Sequence, residues 1–183
     1  MSTGKVMKFT TKKLCLVAIF TAMNITLSLS IFSVPVPGGH IYLNDVIICF
    51  AALFLDPVSA FIVGGVGAFL GDLFFYPAPM FVSLVTHGLQ AVAISLISGG
   101  YKGKLAKLWR AVLAVVVGAV IMVTGYTLGK IFVYSTFEYA MIKLPFEIIQ
   151  ASTGAVFGTL LLYATPLKKI VISRSEQSDA ATE

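Results

Sequence analysis

The chain has 183 residues, 58% of them hydrophobic and 11% charged, with a mean hydropathy of +0.95 and a net charge of +5. A soluble domain carries about 25% charged residues and roughly 45–50% apolar ones, so a water-soluble globular domain and a disordered chain are both excluded. What remains is an all-α integral membrane protein. At about 20 residues per span the length holds roughly six helices and leaves no room for a soluble catalytic domain. The apolar runs are continuous rather than alternating, which argues against a β-barrel.

The opening lysines (Lys5, Lys8, Lys12, Lys13) precede an apolar run from Leu14 to about Phe32. That run is too long for a signal-peptide core and no small-residue cleavage site closes it, so it reads as a retained first span. A loop rich in proline and glycine follows, Ser33 to His40. The second span, about Leu43–Leu55, is short for a full crossing and ends at Asp56-Pro57. The third runs from about Val58 to Phe75, and Tyr76-Pro77-Ala78-Pro79 ends it. The fourth covers about Met80–Ile97, before a basic loop containing Lys102 and Lys104. The fifth, about Leu108–Tyr134, is long enough to tilt. The sixth is predicted over about Leu144–Thr165 and stops at Pro166. One transmembrane domain therefore fills 1–183, with polar tails at 1–12 and 168–183 and a disordered end from Ser173.

Six spans put both termini on one side. That side collects Lys5, Lys8, Lys12, Lys13, Lys102, Lys104, Lys107, Arg110, Lys168, Lys169 and Arg174, and the other holds only Lys130 and Lys143. The positive-inside rule makes the termini cytoplasmic. The same bias explains the net charge, and no basic stripe with interleaved aromatics suggests nucleic acid. Cys15 and Cys49 fall at different depths, so each is expected to be a small buried hydrophobe and not half of a disulfide.

Polar residues inside spans are the informative ones, because lipid makes them expensive. They gather in the outer halves: Asn24 in the first span, Asn44 and Asp45 at the start of the second, and Asp72 near the end of the third. Ser83, His87 and Gln90 follow in the fourth, Tyr126 and Lys130 in the fifth, and Lys143, Glu147 and Gln150 in the sixth. The inner halves are almost purely apolar or small. A channel needs polar lining across the whole bilayer, so this pattern describes an outward pocket with a sealed floor. Ser83, His87 and Gln90 share one helix face, as do Lys143, Glu147 and Gln150.

Neutral donors and acceptors with a few charges suit a small polar ring compound. Tyr42, Tyr76 and Phe81 are placed at the mouth to stack on it. Each candidate also has a plainer role. His87 can bond a neighbouring helix, and Glu147 can simply pair with Lys130 or Lys143. Asp45 and Asp72 fit helix-end or interhelix positions, and Tyr126 fits core packing. Gly67-x-x-x-Gly71, Gly125-x-x-x-Gly129 and Gly154-x-x-x-Gly158 allow close helix approach within the bundle. Ala18-x-x-x-Ala22 fits internal packing or a partner-facing surface equally well. No phosphate-binding loop is present, the scattered histidines and cysteines have no metal-ligand spacing, and Ser83 with His87 lacks an oxyanion donor. The chain is therefore not expected to be an enzyme or to hold a cofactor or metal.

The segments Leu43–Leu53, Phe61–Leu73, Tyr76-Pro77-Ala78-Pro79, Thr86-His87-Gly88-Leu89-Gln90 and Ala18-x-x-x-Ala22 resemble the substrate-binding S components of energy-coupling factor (ECF) vitamin transporters. The likeness covers about Lys12 to Leu167 and points to the hydroxymethylpyrimidine/pyridoxine branch. It implies high-affinity capture of a vitamin or precursor on the outer side. It also implies association with a transmembrane T component and two ABC ATPases that use the ATP, and toppling in the lipid to deliver the cargo. By position it makes Ala18 and Ala22 partner contacts, Ser33–His40 a lid, and His87, Gln90, Tyr126 and Glu147 ligand contacts. Asn24, Ser83, Tyr42, Lys130 and Tyr76 complete the site expected from the polar pattern. Pantothenate, as an anion suited to Lys130 and Lys143, and riboflavin are the alternative cargoes. A stand-alone proton-coupled carrier using Glu147 and His87 would need a polar route inward, which the spans lack.

Overall fold

The computed structural model describes residues 11–29, 31, 33–37, 39–102 and 106–164. Residues 1–10, 103–105 and 165–183, and with them Lys5, Lys8, Lys104, Lys168, Lys169 and Arg174, lie outside the described residues. Among the described residues, six helices run up and down in a bundle: α1 (Thr11–Leu27), α2 (Asn44–Ala52), α3 (Pro57–Phe75), α4 (Met80–Ser98), α5 (Leu108–Tyr134) and α6 (Phe137–Tyr163). The last four are long and apolar enough to cross a membrane. Large apolar side chains cover the outside, with Phe132 77%, Phe74 68% and Trp109 65% exposed. That surface is stable only against lipid. In lipid, backbone groups must be satisfied within the chain, which is why the spans are helical.

Local chemistry explains the boundaries, and some differ from expectation. α1 stops at Leu27, short of Phe32. Helix α3 starts where Asp56 caps it, its carboxylate accepting from the Ser59 N–H at 3.3 Å, with Pro57 in the first turn. Helix α4 ends on Gly99, whose φ of +65° suits glycine. The clearest difference is α6. A start at Leu144 would put Pro145 in a first turn, where a missing N–H costs nothing. The helix begins instead at Phe137, capped by Thr136, and carries Pro145 internally. The loop expected between α1 and α2 contains a small hairpin, β1 (Val34–Val36) with β2 (Gly39–Ile41), in the register Val34↔Ile41, Pro35↔His40, Val36↔Gly39.

The glycine motifs pack inside the bundle, as expected. A Cβ on Gly67 would strike Asn24 of α1 and one on Gly71 would strike Ser28 just after it, and one on Gly125 or Gly129 would strike Thr86 or Val82 of α4. On Gly154 or Gly158 it would strike Asp45 or Cys49 of α2. Two π-helical turns interrupt the long helices, Ile62–Val66 in α3 and Lys130–Tyr134 in α5. Such turns disturb the regular carbonyl ladder, and in α3 the Asn24 amide donates to Val63 O at 2.6 Å. Cys49 is buried and free, but Cys15 is exposed, because its face of α1 points outward; burial was the wrong expectation for it.

The two ends of the bundle differ. At the end holding the start of α1, the core is Val17, Leu53, Ala60, Ala111, Ala114, Val115 and Leu162. Its few polar groups serve the backbone: Ser95 Oγ donates to Leu55 O at 2.6 Å and Ser98 Oγ to Leu53 O at 3.3 Å. At the hairpin end the helices diverge around a cavity.

Candidate functional site

The cavity occupies about 290 Å³ at the hairpin end. The hairpin contributes Gly39 and His40, followed by Tyr42, and the end of α3 contributes Asp72 and Tyr76. Pro79 precedes α4, Met122, Tyr126, Lys130 and Tyr134 come from α5, and Tyr139, Lys143, Glu147 and Gln150 from α6. Five of the seven tyrosines in the chain line it, so its walls are aromatic with polar tips.

Helical periodicity produces this wall. Tyr126, Lys130 and Tyr134 lie at i, i+4, i+8 on α5, and Tyr139, Lys143, Glu147 and Gln150 at i, i+4, i+8, i+11 on α6. The two strips face each other. Lys130 Nζ is paired with Glu147 Oε1, and Thr127 Oγ1 donates to Glu147 Oε2 at 3.5 Å. The Lys130 ammonium also lies 5.3 Å from the Tyr126 ring centroid and 5.9 Å from that of Tyr134. Lys143 Nζ donates to the His40 carbonyl and so ties the hairpin to α6. Gly39 has a φ of +132°, and its α-carbon surface packs near the Lys143 and Tyr139 side-chain ends.

Beneath the cavity lies a buried polar layer centred on Asp45. Its carboxylate accepts from Gln90 Nε2 at 3.0 Å and from Gln150 Nε2 at 2.7 Å. These bonds orient both amides. Gln150 turns Oε1 toward the Tyr42 backbone N–H at 3.1 Å, and Gln90 turns Oε1 toward His87 Nδ1 at 2.7 Å. The amide orientation makes Nδ1 the protonated nitrogen of His87, since Gln90 Oε1 can only accept. The His87 ring meets Tyr126 edge-on with centroids 5.2 Å apart. Asp45 stands in the first turn of α2, where a helix dipole favours negative charge.

A second chain joins the wall. Ser83 Oγ donates to Asp72 Oδ2 and lies 2.5 Å from Tyr126 Oη. At the mouth, burial raises the Tyr42 hydroxyl to about 12, with Asp72 and Tyr76 adding to the shift. It therefore stays a neutral donor at physiological pH.

Of the nine residues expected at the site, Tyr42, Tyr76, Tyr126, Lys130 and Glu147 line the cavity. Ser83, His87 and Gln90 do share a buried face, but in the layer that supports the wall. Asn24 is elsewhere, bonded to α3 from α1 with no exposed surface. Phe81 is 62% exposed on the outside of α4. Ala18 and Ala22 are both exposed on α1 beside Cys15 and Ile19, so internal packing does not account for them.

The sequence reading passed over Tyr134 and Tyr139 and gave Asp72 a structural role. The spacing of Tyr134 from Lys130 was a usable signal. Tyr139 was hidden by the late start assigned to α6.

Helices long and apolar enough to cross a membrane, with a tyrosine-walled cavity at the hairpin end, define a multi-pass membrane protein. A family described as the ECF-type riboflavin transporter, S component, matches residues 8–169, and the chain belongs to this S-component family. It is 34% identical over 155 residues to the thiamine precursor transporter HmpT of Lactococcus lactis subsp. cremoris (strain MG1363), covering 82% of this chain and 85% of that one. It is also 29% identical over 141 residues to an uncharacterized protein from Pyrococcus woesei, covering 76% of this chain and 92% of that one.

Proposed function

We propose that the chain captures a small vitamin or vitamin precursor, hydroxymethylpyrimidine or pyridoxine in preference to riboflavin or pantothenate. Capture takes place at the outer face of a bacterial cytoplasmic membrane, with both termini inside. Delivery inward depends on a T component and two ABC ATPases, which supply the ATP chemistry, and the chain itself binds no cofactor. The observation that carries this reading is the tyrosine-walled cavity confined to one end of the bundle. Its volume lies at the lower end of the roughly 300–1,000 Å³ usual for small-molecule sites, which favours a single ring over a three-ring flavin with its side chain. Both cavity lysines are engaged, Lys130 by Glu147 and Lys143 by the His40 carbonyl, which disfavours an anion such as pantothenate. The name of the Lactococcus relative points the same way.

Calorimetric titration of the detergent-purified chain against these four compounds tests the reading. Nanomolar one-to-one binding of a single-ring compound is expected; a folded sample that binds none of the four refutes it. The partner half is tested by co-purification. The exposed small face of Ala18 and Ala22 is the proposed docking surface, so Ala18→Trp is expected to lose the ATPase complex while keeping ligand binding. An intact complex would remove that surface from the proposal.

A further inference from the structure

The hydrogen bonds around Asp72 have a direction. Ser83 has one hydroxyl proton and gives it to Asp72 Oδ2. The short contact between Ser83 Oγ and Tyr126 Oη must then be donated by Tyr126. The Tyr126 proton is thereby turned away from the cavity, leaving its oxygen as an acceptor. Asp72 Oδ1 has no partner among the described residues, and none of their lysines or arginines lies within ion-pair distance of this carboxylate. Asp72 and the Tyr126 oxygen therefore present acceptors to the cavity, which the ammonium groups of Lys130 and Lys143 also line. The half-buried Asp72 carboxylate thus faces the cavity without a cation and has acceptor capacity that donors of a ligand can use.

We propose that Asp72 is the specificity determinant of this site and that the cargo is an amino-heterocycle of the aminopyrimidine class, bound by an edge on which an exocyclic amino group adjoins a ring nitrogen. The inference rests on the capture function proposed above and narrows it. The amino group donates one N–H to the carboxylate. The neighbouring ring nitrogen takes a proton from solvent on binding and donates the second, giving two parallel charge-assisted bonds of the kind that arginine makes to a carboxylate. Oδ2 accepts alongside Ser83, because a carboxylate has about four lone-pair sites. The groups facing Asp72 are Ser83 and His87 from α4, Tyr126 and Tyr134 from α5, and Tyr42 at the mouth. The Nδ1 proton of His87 is held by Gln90. The ring lies between tyrosine faces, with the hydroxymethyl group on the carbon next to the amino-bearing one and so beside the recognised edge. A pyrimidinone, which presents a carbonyl where the amino group should be, would set oxygen against carboxylate.

The test compares hydroxymethylpyrimidine, which carries the 4-amino group, with its 4-oxo analogue by calorimetry on the full chain, in two buffers of different ionisation enthalpy. The expected result is at least a hundredfold preference for the amino compound, with uptake of about one proton at pH 7.5. Asp72→Asn should weaken the amino compound at least a hundredfold, abolish proton uptake and erase the preference. Equal binding of the two probes by the unaltered chain overturns the inference without needing any variant to fold. So does tight binding of riboflavin or pyridoxine with no binding of the amino compound, although capture then stands. Undiminished affinity in a folded Asp72→Asn protein also overturns it. If none of the vitamins binds to folded protein, it is the capture function that fails.

Discussion

The two ends of this bundle are built from the same helices and obey opposite rules. Toward the start of α1, small residues let the helices close until the core is dry: Ala111, Ala114 and Leu162 have no exposed surface. Toward the hairpin, large amphipathic side chains hold α5 and α6 apart, and Lys130, Lys143, Glu147 and Gln150 are buried together. Charged groups in a membrane interior are costly unless paired, so this end is stable only as a network. One end supplies rigidity by packing, and the other holds a binding cavity by mutual hydrogen bonding. The packed end keeps the cavity from becoming a pore.

Breaking the packed contacts should have the largest effect. A Cβ at Gly158 would sit 2.7 Å from Cys49 Cβ and 2.9 Å from the Val46 carbonyl. Backbone cannot retreat as a side-chain tip can, so Gly158→Val forces α6 away from α2. Overpacking typically costs about 1–3 kcal/mol and more where backbone must move. The expected outcome is loss of the monodisperse folded protein on size exclusion, with or without ligand.

The buried Lys130–Glu147 pair comes next. Removing one partner of such a pair costs about 3–5 kcal/mol, because the other charge is left unpaired, whereas replacing both with apolar groups is often neutral. Glu147→Ala should therefore lower the melting temperature and weaken ligand binding more than tenfold. Lys130→Met combined with Glu147→Leu should recover the melting temperature and leave binding impaired. If both properties recover together, the pair is a structural feature and not part of the site.

The division between the ends was legible in the sequence, because burial of polar groups in lipid is too costly to be incidental. Asp45, Ser83, His87, Lys130 and Glu147 all lie in the hairpin halves of their helices. Which of these touch the cavity was not legible. Ser83, His87 and Gln90 share a face with the right period, but periodicity gives only the direction of a side chain and not what stands in front of it. Here Tyr126 covers His87. Asp72 was undervalued for a similar reason: a carboxylate at a helix end is usually solvated, and only its bond from Ser83 across the helix pair marks it as aimed inward. The hairpin was hidden because two prolines in a short loop argue against strand pairing, and only three residues pair on each side.

The supporting layer provides a smaller test. Asp45 touches no cavity surface, yet it fixes the orientation of Gln150, and through Gln150 the position of the Tyr42 backbone. Asp45→Asn keeps the shape but replaces one acceptor oxygen with a donor, so Gln90 or Gln150 must turn over. Ligand affinity should fall about tenfold, in line with roughly 1.4 kcal/mol for one misdirected charge-assisted bond. Asp45→Glu should restore part of the affinity, which loss of packing alone would not allow. Equal damage from both variants would reduce Asp45 to a packing role.

The smallest effect belongs to the opposite end, where Lys13 Nζ of α1 meets Asp56 Oδ2 at 2.6 Å. Burial works to raise the Asp56 carboxyl, but the Lys13 ammonium and the Ser59 N–H outweigh it and hold the group below the usual carboxylate range. A folded-state value below the unfolded one means that the stabilisation is fully present above about pH 4. It is lost as pH falls through the depressed folded value, where the folded chain must also take up the proton. Asp56→Asn keeps a cap for α3 and removes only the charge, so near neutral pH it should lower stability by at most about 1 kcal/mol. The difference from the parent chain should vanish once the pH lies below the depressed folded value, and added salt should shrink it. Ligand affinity should not change, because this end of the bundle closes the protein without touching the cavity. A loss of affinity in Asp56→Asn would show that the two ends are coupled through α3, whose other end carries Asp72.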